Sequence, residues 1–276
     1  MGLIVKTAAG SDDKDKAYRV RYNVFIKELG FMREKNFPDQ MEKDEYDLFP
    51  TTTHFLALHD KKEIAAARLV GPYPEKKTSG KAGVFGLPME EIFDLSDYKK
   101  KDMLPYEISR SCVLEEHRMS RVIMDIWRIS IQYARQKRVC VFCSCAGTET
   151  DCSEDARVIY LLLKAMEKFH PVIFTPPVRE IKINLRPRYV LYDRKLSSEI
   201  LDRKELSNED VRHYESLGIK LPSTLEYFIR IGARFTGPPH LFPAFGMYTM
   251  PMILELDKIN EPFRSFFERK SEWIKL

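Results

Sequence analysis

Four fragments decide how the chain reads: RYNVF at 21–25, EKDEYD at 42–47, AARLV at 66–70 and EISR at 107–110. Arg68 ends an apolar, strand-like run, and Glu107 and Arg110 sit on a second one. Glu42, Asp44 and Asp47 cluster in a loop flanked by prolines. Charges on otherwise apolar elements are costly unless they are paired or used. A functional site is therefore expected where these segments meet.

Composition sets the outer limits. The 276 residues allow one large domain or two modest ones, with apolar content ample for a core. A net charge of +4 does not demand a nucleic-acid partner. Met1–Lys6 lacks the basic start and long apolar run of a secretory signal. No stretch reaches the ~20 apolar residues of a membrane-spanning helix. The expectation is a soluble, cytoplasmic protein without a membrane span. Cys112, Cys140, Cys143, Cys145 and Cys152 make an odd set, which argues for reduced thiols. The CVFCSC run at 140–145 has no second Cys or His pair at ligand spacing, and the six histidines are scattered, so no metal is expected.

Periodicity predicts a strand at 3–7, a helix over 15–29 and a long polar loop over 31–53. A hairpin follows (54–59 and 63–70), then a basic connection with Gly80, Gly83 and Gly86, and a short helix at 89–93. A strand at 105–114, an amphipathic helix at 120–137, a buried strand at 139–145 and a helix at 155–169 form the centre. The segment 172–174 is short and apolar. A polar helical excursion occupies about 186–220, followed by a helix at 221–231, a strand at 245–256 interrupted by Pro251, and a closing helix at 262–273. This order predicts a single domain over 1–276 of the α/β (α+β) class, with a mixed, twisted central sheet flanked by helices.

Arg21, Val24, Phe25, Leu29 and Gly30, then Glu42, Asp44 and Asp47, then Arg68, Glu107, Ser109 and Arg110 follow in an order that resembles the acyl-homoserine-lactone autoinducer synthases. It is equally similar to their relatives, the long-chain N-acyl amino acid synthases. Both belong to the Gcn5-related N-acetyltransferase (GNAT) fold. The C-terminal part, notably residues 221–231, Gly232 and Gly237-Pro238, resembles acyltransferases associated with exosortase systems. Phe31 stands where autoinducer synthases usually carry a tryptophan, and the chain is longer than theirs. The first implies a different acceptor pocket, and the second favours the N-acyl amino acid or exosortase-linked branch over lactone synthesis.

The resemblance implies transfer of a long acyl chain from a thioester to the amine of an amino-acid acceptor. In that reaction Glu107 would be the base, acting through water, and backbone amides near Ser111, Cys112 and Val113 would hold the oxyanion. Arg21, Phe25, Phe31, Glu42, Asp44, Asp47, Arg68 and Arg110 would frame the acceptor. The turn Glu115–Arg121 has no glycine to bring amides to a pyrophosphate, and two glutamates would repel one. The expected donor is therefore an acyl-pantetheine thioester on an acyl carrier protein, with no other cofactor. Arg118, Arg121, Arg128 and Arg135 form a basic row suited to that acidic partner. The acyl chain is expected in a tunnel lined by Phe142, Leu161, Leu162, Met166, Phe174 and the stretch 242–252.

Blander readings stand beside these. The charged series equally makes an ion-pair lattice that pins the loop to the sheet, the arginine row a solvated helix face, and the apolar tunnel an ordinary core. At the level of function, a lactone synthase using S-adenosylmethionine and a noncatalytic acyl-carrier or lipid-binding module remain alternatives.

Overall fold

A computed structural model describes residues 2–75, 77–78, 81–179 and 187–276, with side chains left out at 77–78 and 81–82. Gly80 of the basic connection and Arg186 at the head of the excursion lie outside the described residues. The strands are β1 (Leu3–Thr7), β2 (Thr52–His59), β3 (Lys62–Val70), a small hairpin β4 (Lys77–Thr78) and β5 (Lys81–Ala82), β6 (Pro105–Val113), β7 (Val141–Gly147), β8 (Arg234–Phe235), β9 (His240–Phe242), β10 (Met247–Glu255) and β11 (Ile274–Lys275). The helices are α1 (Ser11–Tyr22), α2 (Ser96–Lys100), α3 (Val122–Gln136), α4 (Ser153–Ala165), α5 (Arg194–Asp202), α6 (Asn208–Ser216), α7 (Ser223–Ile231) and α8 (Phe263–Glu268).

Among the described residues the large sheet runs β11-β1-β2-β3-β6-β7-β10-β8, with β9 paired to β10. It is mixed. β1/β11 and β6/β7 are parallel, and the other pairings are antiparallel.

The period-two alternation of each strand sorts its side chains between two faces. Phe55, Ala57, Ala65, Ala67, Leu69, Ile108, Phe142, Met250, Met252 and Leu254 turn to one face, where they pack with Ile126, Ile129 and Leu162 of α3 and α4. On the other face Leu56, Ala66 and Cys112 meet Ala17, Val20, Val24 and Phe25. Further along that face Val70, Val141, Cys143 and Ile253 meet Phe85, Leu87, Met89 and Phe93. His54, Arg68 and Glu107 are also buried, at positions that fall by alternation between these two apolar clusters. The polar strip is thus bounded by apolar packing on both sides.

Several elements depart from expectation. α1 begins four residues before the expected start and continues into a π-helical turn, Asn23–Glu28. Aspartates in its first turn favour the early start. The long loop contains 3₁₀ turns at Glu34–Asn36 and Glu45–Leu48. β7 starts at Val141 and runs to Gly147. Pro251 does not interrupt β10: it pairs across from Cys145 and its carbonyl accepts from the Thr236 amide, 2.9 Å. The closing helix stops at Glu268, and the tail becomes β11 beside β1. The excursion holds α5 and α6, whose Ile200 and Tyr214 join the main core. Gly237 permits a close approach, since a Cβ there would lie 2.2 Å from the Thr175 carbonyl oxygen.

The expected acyl tunnel is corrected. Phe142, Leu162, Met250 and Met252 are core residues on the α3/α4 face, opposite the charges, and Phe174 is exposed. Among the described residues no cysteine is paired, no His/Cys/Asp/Glu group suits a metal, and no helix is long and apolar enough to cross a membrane.

Candidate active site

The four fragments converge. Arg21 on α1 donates from Nε to Glu42 Oε2 (2.5 Å) and through both terminal nitrogens to Asp47 (2.8 and 3.0 Å). Arg68 on β3 donates to Asp44 Oδ1 (2.5 Å), Asp47 Oδ1 (2.9 Å) and Ser109 Oγ (3.3 Å). Arg110 reaches Glu42 Oε1 (3.1 Å) and Asp44 Oδ2 (3.2 Å). Planar guanidinium forks suit this shared, partly bidentate pairing.

The loop is shaped for its part. The Asp44 amide donates to Asp47 Oδ2 and the Tyr46 amide to Asp44 Oδ1, so two acids cap their own 3₁₀ turn while they bind arginines. The Glu42 amide donates to the Tyr18 carbonyl, which ties the loop to α1. Burial alone would raise the Asp47 pKa, but Arg21 and Arg68 outweigh it and hold the carboxyl well below its usual range. His54 lies 3.8 Å from Asp47. Burial pushes its pKa down to about 4, against the pull of that aspartate, so it is neutral at pH 7.

A β-bulge makes the arrangement possible. Ala66 pairs with Cys112 but Arg68 with Ser109, so β6 carries one residue more than β3 at Arg110–Ser111. Arg110 has a left-handed backbone, φ 55°. In a regular strand Ser109 and Arg110 would face opposite sides of the sheet. Here Ser109 accepts from Arg68 while Arg110 binds Glu42 and Asp44, so both join one charged lattice.

Beside the bulge the sheet opens. β6 and β7 pair only through Pro105–Glu107, and no register is formed beyond Glu107↔Cys143. Glu107 thus stands at the fork. It is buried, and its Oε2 accepts from the Met89 amide at 2.7 Å. Burial raises its pKa to about 7, opposed by that amide and by Arg68 and Arg110. An aromatic group covers Arg110: its guanidinium lies 4.9 Å from the Phe245 ring centroid, and Phe245 packs against Phe25, Phe31 and Phe242 at 5.0–5.4 Å.

The expected site residues therefore divide. Arg21, Glu42, Asp47 and Arg68 are buried and bind one another. Asp44 and Arg110 form the rim, with side chains 27% and 11% exposed. Phe25 and Phe31 belong to the aromatic cover. Ser111 lies in the bulge, and Cys112 and Val113 pair with Ala66 and Ala65 of β3. Burial pushes the Cys112 thiol up to about 12, so it is no thiolate nucleophile.

The basic row is corrected. Arg128 is buried beneath α8, its guanidinium 3.7 Å from the Phe266 ring centroid and hydrogen-bonded to Ser271. Arg135 binds Glu268 (2.9 Å) and the Leu256 carbonyl. Both fasten the C-terminal segment. Arg118 is paired with Glu28, and Arg121 reaches Asp125 at 3.5 Å while remaining mostly exposed. Seven-residue spacing puts the arginines on one side of α3, but α8 had no visible reason to cover that side.

Sequence reasoning also missed Tyr46, whose hydroxyl donates to Glu91 at 2.6 Å, and the Met89 amide on Glu107. A backbone donor leaves no mark in residue identity.

Residues 20–128 match the acetyltransferase (GNAT) domain family. The chain is 20% identical over 273 residues to an L-ornithine N(alpha)-acyltransferase of Rhodobacter capsulatus, spanning 97% of this chain and 95% of that protein. It is 22% identical over 255 residues to the Brucella abortus protein of the same description, spanning 91% and 83%. The solved structure of FeeM, an N-acyl amino acid synthase from uncultured soil microbes, superposes with a TM-score of 0.53 at 9% identity, covering 95% of this chain and 93% of that one. The forked mixed sheet, with a buried carboxyl at its fork, is a GNAT-like fold, and residues 20–128 carry its match to the acetyltransferase domain family.

Proposed function

We propose that the chain transfers a long-chain fatty acyl group from an acyl-carrier-protein thioester to the α-amino group of an amino acid, with ornithine as the acceptor. Glu107 carries this reading: a buried carboxyl with a pKa of about 7 stands where β6 and β7 part, beside a rim that offers one acid and one arginine. A group that titrates near neutral pH suits general-base work. The named activity of two relatives matched over most of their length supports ornithine.

In the proposed reaction the acceptor's carboxylate meets Arg110 and its ammonium meets Asp44. One ammonium proton passes to Glu107, directly or through water. The neutral nitrogen attacks the thioester carbonyl, the N–C bond forms, and the C–S bond breaks. The second amine proton then leaves to the departing thiolate. The β6 backbone beyond Glu107, released from β7 and bulged at Arg110–Ser111, is the source of amide donors for the oxyanion.

The donor assignment rests on the turn before α3. Its His117, Arg118 and Ser120 amides donate to carbonyls of the same turn, the Glu115 amide to Glu28 and the Val122 amide to Ser120 Oγ. A pyrophosphate would need such amides free. An open groove of about 610 Å³ beside it is lined by Glu28, Glu115 and Glu116 among others, which disfavours a nucleotide diphosphate.

The test offers purified chain an acyl carrier protein thioester or acyl-CoA, with ornithine, other amino acids or S-adenosylmethionine, and reads products by mass spectrometry. N-acylornithine formed from the carrier protein is the expected product. A lactone from S-adenosylmethionine would replace this reading with autoinducer synthesis, and absence of any acylated product would remove the enzymatic reading.

A further inference from the structure

The loop before the 3₁₀ turn Pro88–Glu91 is gathered around one buried carboxylate. The Glu90 carboxylate, buried, accepts from the amides of Val84 (2.5 Å), Phe85 (3.1 Å to each oxygen) and Leu87 (2.9 Å). Gly86, at φ 72°, supplies the left-handed residue that turns successive amides toward one anion. Phe85, Leu87 and Met89 then pack with Val70, Val141 and Cys143, alongside the strands that flank Glu107. Pro88 has no N–H and occupies the first position of the 3₁₀ turn. Met89 therefore presents the first unspent amide of that turn, and it donates to Glu107 Oε2. Among the described residues Oε1 accepts no hydrogen bond.

We propose that Glu90 is a positioning residue, whose carboxylate gathers the 84–87 loop so that the Met89 amide holds one oxygen of Glu107 and leaves the other for the reacting amine. The inference rests on Glu107 being the base. The groups that face Glu107 are Asp44 and Tyr46 from the loop, Arg68 on β3, Arg110 on β6, and Cys143 and Cys145 on β7. None of these is removed by a change at Glu90, and Glu90→Asp also keeps the charge that Glu90 places near Cys143. Removing the Met89 donor withdraws a contact that favours the ionised form.

Glu90→Asp keeps the charge but is one methylene too short to reach the loop amides, whereas Glu90→Gln keeps the reach and loses the charge. Carboxyl ¹³C titration, with Glu107 assigned by its loss in Glu107→Gln, reads the midpoint without reference to turnover. The Met89 amide proton reads the contact itself. In the wild-type protein both must titrate together. In Glu90→Asp the amide response is expected to vanish, and the Glu107 midpoint and the acid limb of kcat/KM to rise by about one pH unit. At pH 6 that is about a tenfold loss of kcat/KM, with acceptor KM little changed. A wild-type Met89 amide that ignores the Glu107 titration overturns the proposal even if neither variant folds, as does an unmoved midpoint in a folded Glu90→Asp. Undiminished turnover in Glu107→Gln would instead remove the base, while the amide titration still decides the positioning.

Discussion

Replacing Glu107 with glutamine should make the protein more stable in a pH-dependent way while disabling it. The folded-state pKa is about 7, against an ordinary value of 4.5, because burial penalises the anion. A raised carboxyl binds more protons folded than unfolded between those two values, so wild-type stability falls as pH rises through that window. About 2.5 pH units correspond to about 3 kcal/mol at 1.36 kcal/mol each. Glutamine does not titrate. Its advantage over wild type should be near zero at about pH 4, grow through the window, and level off near 3 kcal/mol at about pH 8. Any fixed cost of the amide's shape shifts the whole curve without changing its slope, so the slope is what tests the burial argument. Urea titrations at several pH values measure it, and acyl transfer should fall by about 10²–10⁴-fold in the same variant. A stability difference that stays flat from pH 4 to pH 8 would refute the perturbed carboxyl, and full turnover would refute its role.

Three further outcomes follow from the site's geometry. Arg21→Met leaves Glu42 and Asp47 buried without their fork, and should cost about 3–5 kcal/mol by urea midpoint. Arg128→Glu places an acid beside Asp125 beneath Phe266 and should destabilise by several kcal/mol, whereas Arg121→Gln, at a mostly exposed position, should change stability by about 1 kcal/mol or less; equal small effects would contradict the covered helix face. Phe245→Ala removes three ring contacts and the stack on Arg110, and should raise the acceptor KM several-fold with a stability loss of about 1–2 kcal/mol; an unchanged KM would detach the aromatic cover from acceptor binding.

The central sheet was legible because its strands alternate. Ala65, Ala67 and Leu69 against Ala66, Arg68 and Val70 already separates a core face from a charged one. The meeting of Arg21, Asp47, Arg68 and Glu107 was legible because buried charge needs a partner. What alternation hides is its own interruption. The bulge at Arg110 changes which side the residue faces, and no propensity marks it, since arginine rarely takes a left-handed backbone. The tunnel failed for a related reason. Phe142 and Cys143 are adjacent and opposite-facing, and composition alone cannot say which of them looks toward the charges. The cover on Arg128 depends on a contact between α3 and α8 more than a hundred residues apart, beyond the reach of local pattern.

The bulge also decides where chemistry can reside. Three arginines face three carboxylates at Arg21, Arg68, Arg110, Glu42, Asp44 and Asp47, and their hydrogen bonds saturate most of the lattice. A balanced lattice gains little by exchanging a proton, and Asp47 is held far from doing so. His54, although adjacent, is neutral at pH 7 and stays so until about pH 4. Among the described residues Glu107 makes no ion pair with the arginines: the lattice is already balanced without it, and its carboxylate accepts a hydrogen bond from the Met89 amide. Its ionisation is therefore governed by burial and by the Met89 amide, not by an ion pair. Hence a substitution that unbalances the lattice should reach Glu107 electrostatically as well as through folding. Asp44→Asn, which leaves an arginine excess at the rim, should lower the Glu107 midpoint, and a rise would show that the two are linked through packing instead.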